Sequence, residues 1–132
     1  IERAMAQARL TPGDVDYICA HGTGTKNNDR VETLSIKRIF RDRACQVPVS
    51  SIKSMIGHAM GAASAIEAVA CALVIDRGAV PPTINFNTPD PECDLDYVPN
   101  TAREHACRHV LTENLGFGGH TAALVLSRFD GR

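Results

Sequence analysis

"SSIKSMIGHAMGAASAIEAVACALVI", residues 50–75, is the stretch that decides the fold. It is rich in Ala and Gly, yet it holds Lys53, His58 and Glu67. Burying a charge is costly unless another group compensates it, so these three should be held by one another or by a task. The apolar run from Ala59 to Ile75 is slightly short for a membrane span and carries Glu67 in its middle. It reads as a buried core helix over 59–76 that ends at Arg77-Gly78. Small residues at 59, 61, 62, 63, 65, 68, 70 and 72 leave this helix without a polar face, so it should lie between two layers. A chain of 132 residues has trouble covering both sides of such a helix. Part of the covering is expected from residues outside this sequence, either an N-terminal half or another subunit.

The elements on either side follow from local chemistry. Residues 1–9 look helical and stop at "TPGD", where Pro12 and Gly13 break the pattern. "VDYICA" (15–20) and "VPVSS" (47–51) read as buried strands. Between them, Asp29 with Glu32 has the spacing of a capping box, and Val31, Leu34, Ile36, Ile39 and Phe40 supply a helix face. Residues 52–58 form a loop, and the Pro- and Asp-rich run 81–100 should be mostly irregular. "HVLTENL" (109–115) and "TAALVLSR" (121–128) make a hairpin through "GFGG". This order is an α/β pattern in which the first two strands run parallel. Loops after parallel strands share one edge of the sheet, where open α/β folds bind ligands. His21 begins the first such loop, and Lys53 and His58 lie in the second.

Composition narrows the class. A net charge of −1 leaves no nucleic-acid footprint. With 5% aromatics and no Trp, the core must be built from Ala, Val, Ile and Leu. Five cysteines occur without a C-x-x-C pair, which reads as reduced thiols in a cytosolic protein. No signal peptide opens the chain, and its abrupt start at Ile1 points to numbering that begins mid-protein. His21 and His58 lack a third ligand at a recognisable spacing, so no metal is expected. His105 and His109 have helical i, i+4 spacing within "REHACRH" and read as solvated, and "KRIFRDR" (37–43) reads as a solvated helix end.

Three segments carry candidate chemistry. In "HGTGT", Thr23 and Thr25 alternate with glycines, so in an extended loop both hydroxyls point one way and a ligand can approach the backbone. In "KSMIGH", Lys53 is the nearest cation for Glu67; the pair either orients the fold or fixes His58 and its protonation state. In "GFGG", Gly116, Gly118 and Gly119 surround Phe117, which is either a packed hairpin residue or a gate over a pocket.

Together, "AHGTGT", "ND" before the helix, "SSIKSMIGHAMGAA", "VPPTIN", "PDPECDLDYVP" and "GFGG", in that order, resemble the C-terminal half of the β-ketoacyl-acyl carrier protein synthases. These are the elongating condensing enzymes of the thiolase fold. "PDPECDLDYVP" looks especially like type II polyketide ketosynthases and their fatty-acid counterparts. The resemblance runs almost the whole chain. It implies an α/β, thiolase-like layered α-β-α-β-α fold, of which residues 1–132 form the C-terminal half. It also implies that His21 and His58 are the active-site histidines and that Lys53 and Glu67 accompany them. Thr23 and Thr25 would hold the phosphopantetheine arm, and Phe117 would be the gate. Two departures stand out. The family's nucleophilic cysteine belongs to the absent N-terminal half, and Thr121 and the "TENL" lead-in replace the usual Asn and Asn-Ser around the Gly loop.

The implied reaction is a decarboxylative condensation of an acyl thioester with malonyl-carrier protein, giving a 3-ketoacyl product. Two neutral imidazole N–H groups would stabilise the enolate oxygen, and both burial and Lys53 would keep those rings neutral. The resemblance implies no resident cofactor, since substrates ride on the phosphopantetheine of acyl carrier protein. It implies as partners that carrier protein, the N-terminal half, and a second subunit in a homodimer or a ketosynthase/chain-length-factor heterodimer. It also implies no turnover by the isolated piece, while the cysteines, the short apolar run and the net charge point to a cytoplasmic location with no membrane or nucleic acid. The alternative is a non-catalytic chain-length-factor subunit, which often lacks the histidines. A degradative thiolase would carry a second reactive cysteine near the Gly loop, and "GFGGH" has none.

Overall fold

The computed structural model describes residues 1–131. A four-stranded sheet forms its centre. Its strands are β1 (Tyr17–Cys19), β2 (Val49–Ser50), β5 (His109–Leu115) and β6 (Thr121–Ser127), in the order β2-β1-β5-β6. β1 runs parallel to both β2 and β5, and β5 with β6 forms the expected antiparallel hairpin. A small second sheet pairs β3 (Ala79–Val80) with β4 (Arg103–Glu104).

Side chains alternate across β1 and divide the core in two. Ile18 faces a cluster with Met5 of α1 (Glu2–Ala8), Ile36 and Phe40 of α2 (Lys26–Phe40), Val49 and Leu111. Tyr17 and Cys19 face the other side, with Cys71 and Val74 of α4 (Ala63–Arg77) and Val110. The result is three layers, helix-sheet-helix. Each fully buried Ile or Leu contributes about 1.5–3 kcal/mol, so this double core, and not any aromatic cluster, supplies most of the stabilisation.

Four local expectations need correction. The core helix begins at Ala63 instead of residue 59, after a 3-10 turn at Met60–Ala62. Gly57 (φ 78°) and Met60 (φ 51°) are left-handed, and an α-helix cannot run through them. The loop 52–58 contains a single helical turn, α3 (Lys53–Ile56), that buries Lys53. Asp29 and Glu32 do not form a capping box: α2 starts earlier, at Lys26, and both carboxylates reach back to the loop before it. Val31 and Leu34 are exposed, while Ile36 and Phe40 are buried. "REHACRH" is no helix either: His105 bonds the carbonyl of Asp16, and His109 begins β5 and meets the Ser127 hydroxyl.

α4 buries one stripe, Ala63, Glu67, Cys71 and Val74. Its other side exposes Ile66, Val69 and Leu73, so the expected sandwich is closed on one side only. Residues 81–102 hold no strand but are tied to α2 by the ion pairs Arg30–Glu92 and Lys37–Asp94. The basic end of α2 is thus partly neutralised by its own chain. Among the described residues no helix is long and apolar enough to cross a membrane. All five cysteines are free.

Candidate active site

Parallel pairing of β1 with β2 delivers two loops to one edge. Cys19 is level with Ser50, so the loop from His21 and the turn from Ser51 leave side by side. Ser51 donates its hydroxyl to the Gly22 carbonyl (2.7 Å) and locks the two loops together. Gly22 is required there: a Cβ would stand 2.4 Å from the Ser51 Cβ. On the far side, Glu32 of α2 accepts the N–H groups of His21 (2.7 Å) and Gly22 (2.9 Å). A buried carboxylate therefore fixes the backbone beneath His21.

His21 and His58 meet. Their ring centroids lie 5.6 Å apart and their planes are nearly perpendicular, at 85°. His21 is buried and His58 is exposed. The Met60 N–H donates to His58 Nδ1 (3.1 Å), so a neutral His58 carries its proton on Nε2. Burial, and then the Lys53 cation, lower the pKa of His21 and keep its ring neutral.

Lys53 and Glu67 form the expected buried ion pair. Its hydrogen bonds lead toward His21. The second oxygen of Glu67 accepts the Asn114 side-chain N–H (2.6 Å), and the Asn114 carbonyl oxygen lies 3.4 Å from His21 Nδ1. The chain Lys53–Glu67–Asn114–His21 therefore ends on that histidine. Asn114 escaped sequence reading, and Glu32 was read only as part of a helix cap. The available signal was register: Cys19 is level with Thr112, so two residues further along each strand bring His21 beside Asn114.

Glu67 only accepts, so Asn114 must turn its NH₂ toward it and its oxygen toward His21. That oxygen calls for Nδ1–H on His21.

The Thr23 and Thr25 hydroxyls are 3.0 Å apart, but the loop is not extended as expected: Gly22 (φ 41°) and Gly24 (φ 73°) turn it, and that turn brings the two side chains together. Thr23, with Lys53 and His58, lines a cleft of about 870 Å³; Thr25 does not. The cleft is closed on one side by the irregular segment containing Thr83, Phe86 and Tyr97. Phe117 is 97% exposed within the 3-10 turn Phe117–Gly119 and does not line the cleft, so it is not a packed hairpin residue in this chain. Among the described residues no group of three or more His, Cys, Asp or Glu side chains could hold a metal ion.

Beside Glu32, Glu113 is buried with one carboxyl oxygen unpartnered. Burial first, and then the Glu32 charge, push its pKa up to about 8. Burial also raises that of Glu32.

Comparison with known proteins agrees with this geometry. The model of the β-ketoacyl synthase C-terminal domain matches residues 1–87. The tetracenomycin polyketide synthase ketoacyl synthase alpha subunit of Streptomyces glaucescens is 57% identical over 97% of this chain and 30% of its own length. Among solved structures, a type II polyketide acyl carrier protein in complex with its ketosynthase bound to the hexaketide superposes with a TM-score of 0.95. That match is 43% identical and covers 98% of this chain and 32% of the other. The ishigamide ketosynthase/chain length factor superposes with a TM-score of 0.93 at 43% identity, over 97% of this chain and 31% of the other. The chain thus has a thiolase-like ketosynthase fold and spans about a third of the length of these relatives.

Proposed function

Because the chain belongs to the C-terminal domain family of the β-ketoacyl synthases, we propose that it forms the C-terminal part of a polyketide ketosynthase performing decarboxylative Claisen condensation. The acyl group waits as a thioester on a cysteine of the preceding part of the protein. Malonyl-carrier protein loses carbon dioxide, and the electrons of the broken C–C bond form an enolate. Its carbon attacks the acyl carbonyl, the cysteine thiolate leaves, and a 3-ketoacyl-carrier protein results.

The observation that carries this proposal is the 5.6 Å approach of the rings of His21 and His58 beside the buried Lys53–Glu67 pair. A donor at His58 Nε2 suits the enolate oxygen. Burial and then Lys53 keep His21 neutral, and Glu67 holds Lys53 and Asn114. Thr23 and Thr25 are read as the grip on the phosphopantetheine arm and Phe117 as the gate, flanked by Gly116, Gly118 and Gly119. No resident cofactor is required by this scheme.

Two further parts of the proposal concern partners. The bare face of α4, with Ile66, Val69 and Leu73, is the seat of the preceding half of the ketosynthase. A chain length factor is the proposed second subunit, because the ishigamide relative is described as a ketosynthase/chain length factor. The test is carbon dioxide release and ketoacyl formation from malonyl-carrier protein by the full-length protein and by its His58→Ala variant. Loss of both activities in the variant supports the assignment. An inactive parent with no cysteine at the nucleophile position would make this a chain-length-factor subunit instead.

A further inference from the structure

We propose that Asn114 is a positioning residue that holds the His21 imidazole in its Nδ1–H form, leaving Nε2 as the unprotonated ring nitrogen. The consequence for turnover rests on the function proposed above; the ring chemistry stands on contacts alone. Asn114 lies on β5, two residues beyond the level pair Cys19 and Thr112, and so beside His21. Its orientation is not free. The Glu67 oxygen 2.6 Å away accepts only, which turns the amide NH₂ toward α4 and the amide oxygen toward the ring. Lys53 occupies the other oxygen of Glu67, so the carboxylate cannot swing to a different partner. Every hydrogen bond in the chain from Lys53 to His21 therefore has one direction.

His58 is set the opposite way by the Met60 N–H. Two histidines that look equivalent in the sequence are thus made different by two unrelated contacts. The charged and titratable groups around the His21 ring are Lys53 from α3, Glu67 from α4 and His58 from the loop before α4, while Glu32 from α2 holds its backbone. The bond to Asn114 raises the basicity of His21 against burial and Lys53, which lower it.

The experiment uses the full-length ketosynthase carrying this chain, with ¹⁵N-labelled imidazoles, and compares the parent with Asn114→Leu and Asn114→Asp. Ring nitrogen shifts of His21 should report Nδ1–H in the parent. In Asn114→Leu the tautomer ratio should move about fivefold toward Nε2–H, the shift that one net hydrogen bond of about 1 kcal/mol supports. Malonyl decarboxylation should fall by a similar factor in kcat with little change in KM. In Asn114→Asp the new carboxyl must share a proton with Glu67, which leaves an acceptor toward the ring, so Nδ1–H should persist. A parent already in the Nε2–H form, or identical ring signals and titrations in all three proteins, would overturn the proposal. The ring signals need no turnover, so a parent without condensing activity would remove the proposed function and leave this assignment to be judged by its own spectra.

Discussion

Gly22 and Ser51 touch so closely that no side chain fits between them: a Cβ on Gly22 would lie 2.4 Å from the Ser51 Cβ and 2.8 Å from its Oγ. Gly22 also has φ 41°, which costs any other residue strain. Gly22→Ala should lower unfolding stability by about 1–3 kcal/mol, the usual cost of overpacking. It should also separate His21 from His58 and abolish condensation. Urea unfolding and a malonyl decarboxylation assay on the full-length protein check both.

Lys53 and Glu67 are each buried, and each compensates the other's charge. Removing one partner, as in Lys53→Ala, should cost about 3–5 kcal/mol because it strands the remaining charge. The double replacement Lys53→Met with Glu67→Leu should recover most of that stability and none of the activity. Denaturant midpoints against turnover separate the two effects. A double variant no more stable than Lys53→Ala would mean that packing, not charge, holds this corner.

His58 is exposed and makes one hydrogen bond to its own loop. His58→Ala should therefore leave the melting temperature nearly unchanged. If its Nε2–H meets the enolate oxygen, kcat should fall about 10²–10³-fold, as for a lost oxyanion donor. Carbon dioxide release from malonyl-carrier protein measures this without the condensation step.

Glu113 keeps its proton in the folded protein up to about pH 8, whereas a free glutamate releases it near 4.5. Between those values the unfolded chain binds fewer protons, so stability falls as pH rises, and the loss is complete above the folded pKa. Glu113→Gln cannot ionise and should flatten that decline. Thermal melts at pH 5, 7 and 9 should converge for the variant and diverge for the parent. Parallel pH profiles would show that Glu113 is ionised throughout.

The elements were readable where periodicity and punctuation agreed. Strands 109–115 and 121–128 needed only alternation and a Gly-rich turn. The meeting of His21 with His58 followed from the shared edge of parallel strands. What stayed hidden was set by tertiary neighbours. Asp29 and Glu32 have the spacing of a cap, but α2 begins a turn earlier and its carboxylates are taken by the backbone of the preceding loop. Val31 and Leu34 fit an apolar stripe, yet the sheet meets only the side with Ile36 and Phe40. Asn114 looked like an ordinary polar strand residue until the register with β1 placed it against His21. Phe117 could be named from its glycines, but nothing in its own segment says what it leans on.

Glu67 and Val69 sit two positions apart on one rigid rod, the first turned into the site and the second turned away from it. Whatever leans on the outer side of that rod is mechanically linked to the carboxylate on the inner side. Altered turnover should therefore be sought by mutagenesis at Ile66, Val69 and Leu73 as well as among the residues around the reacting atoms.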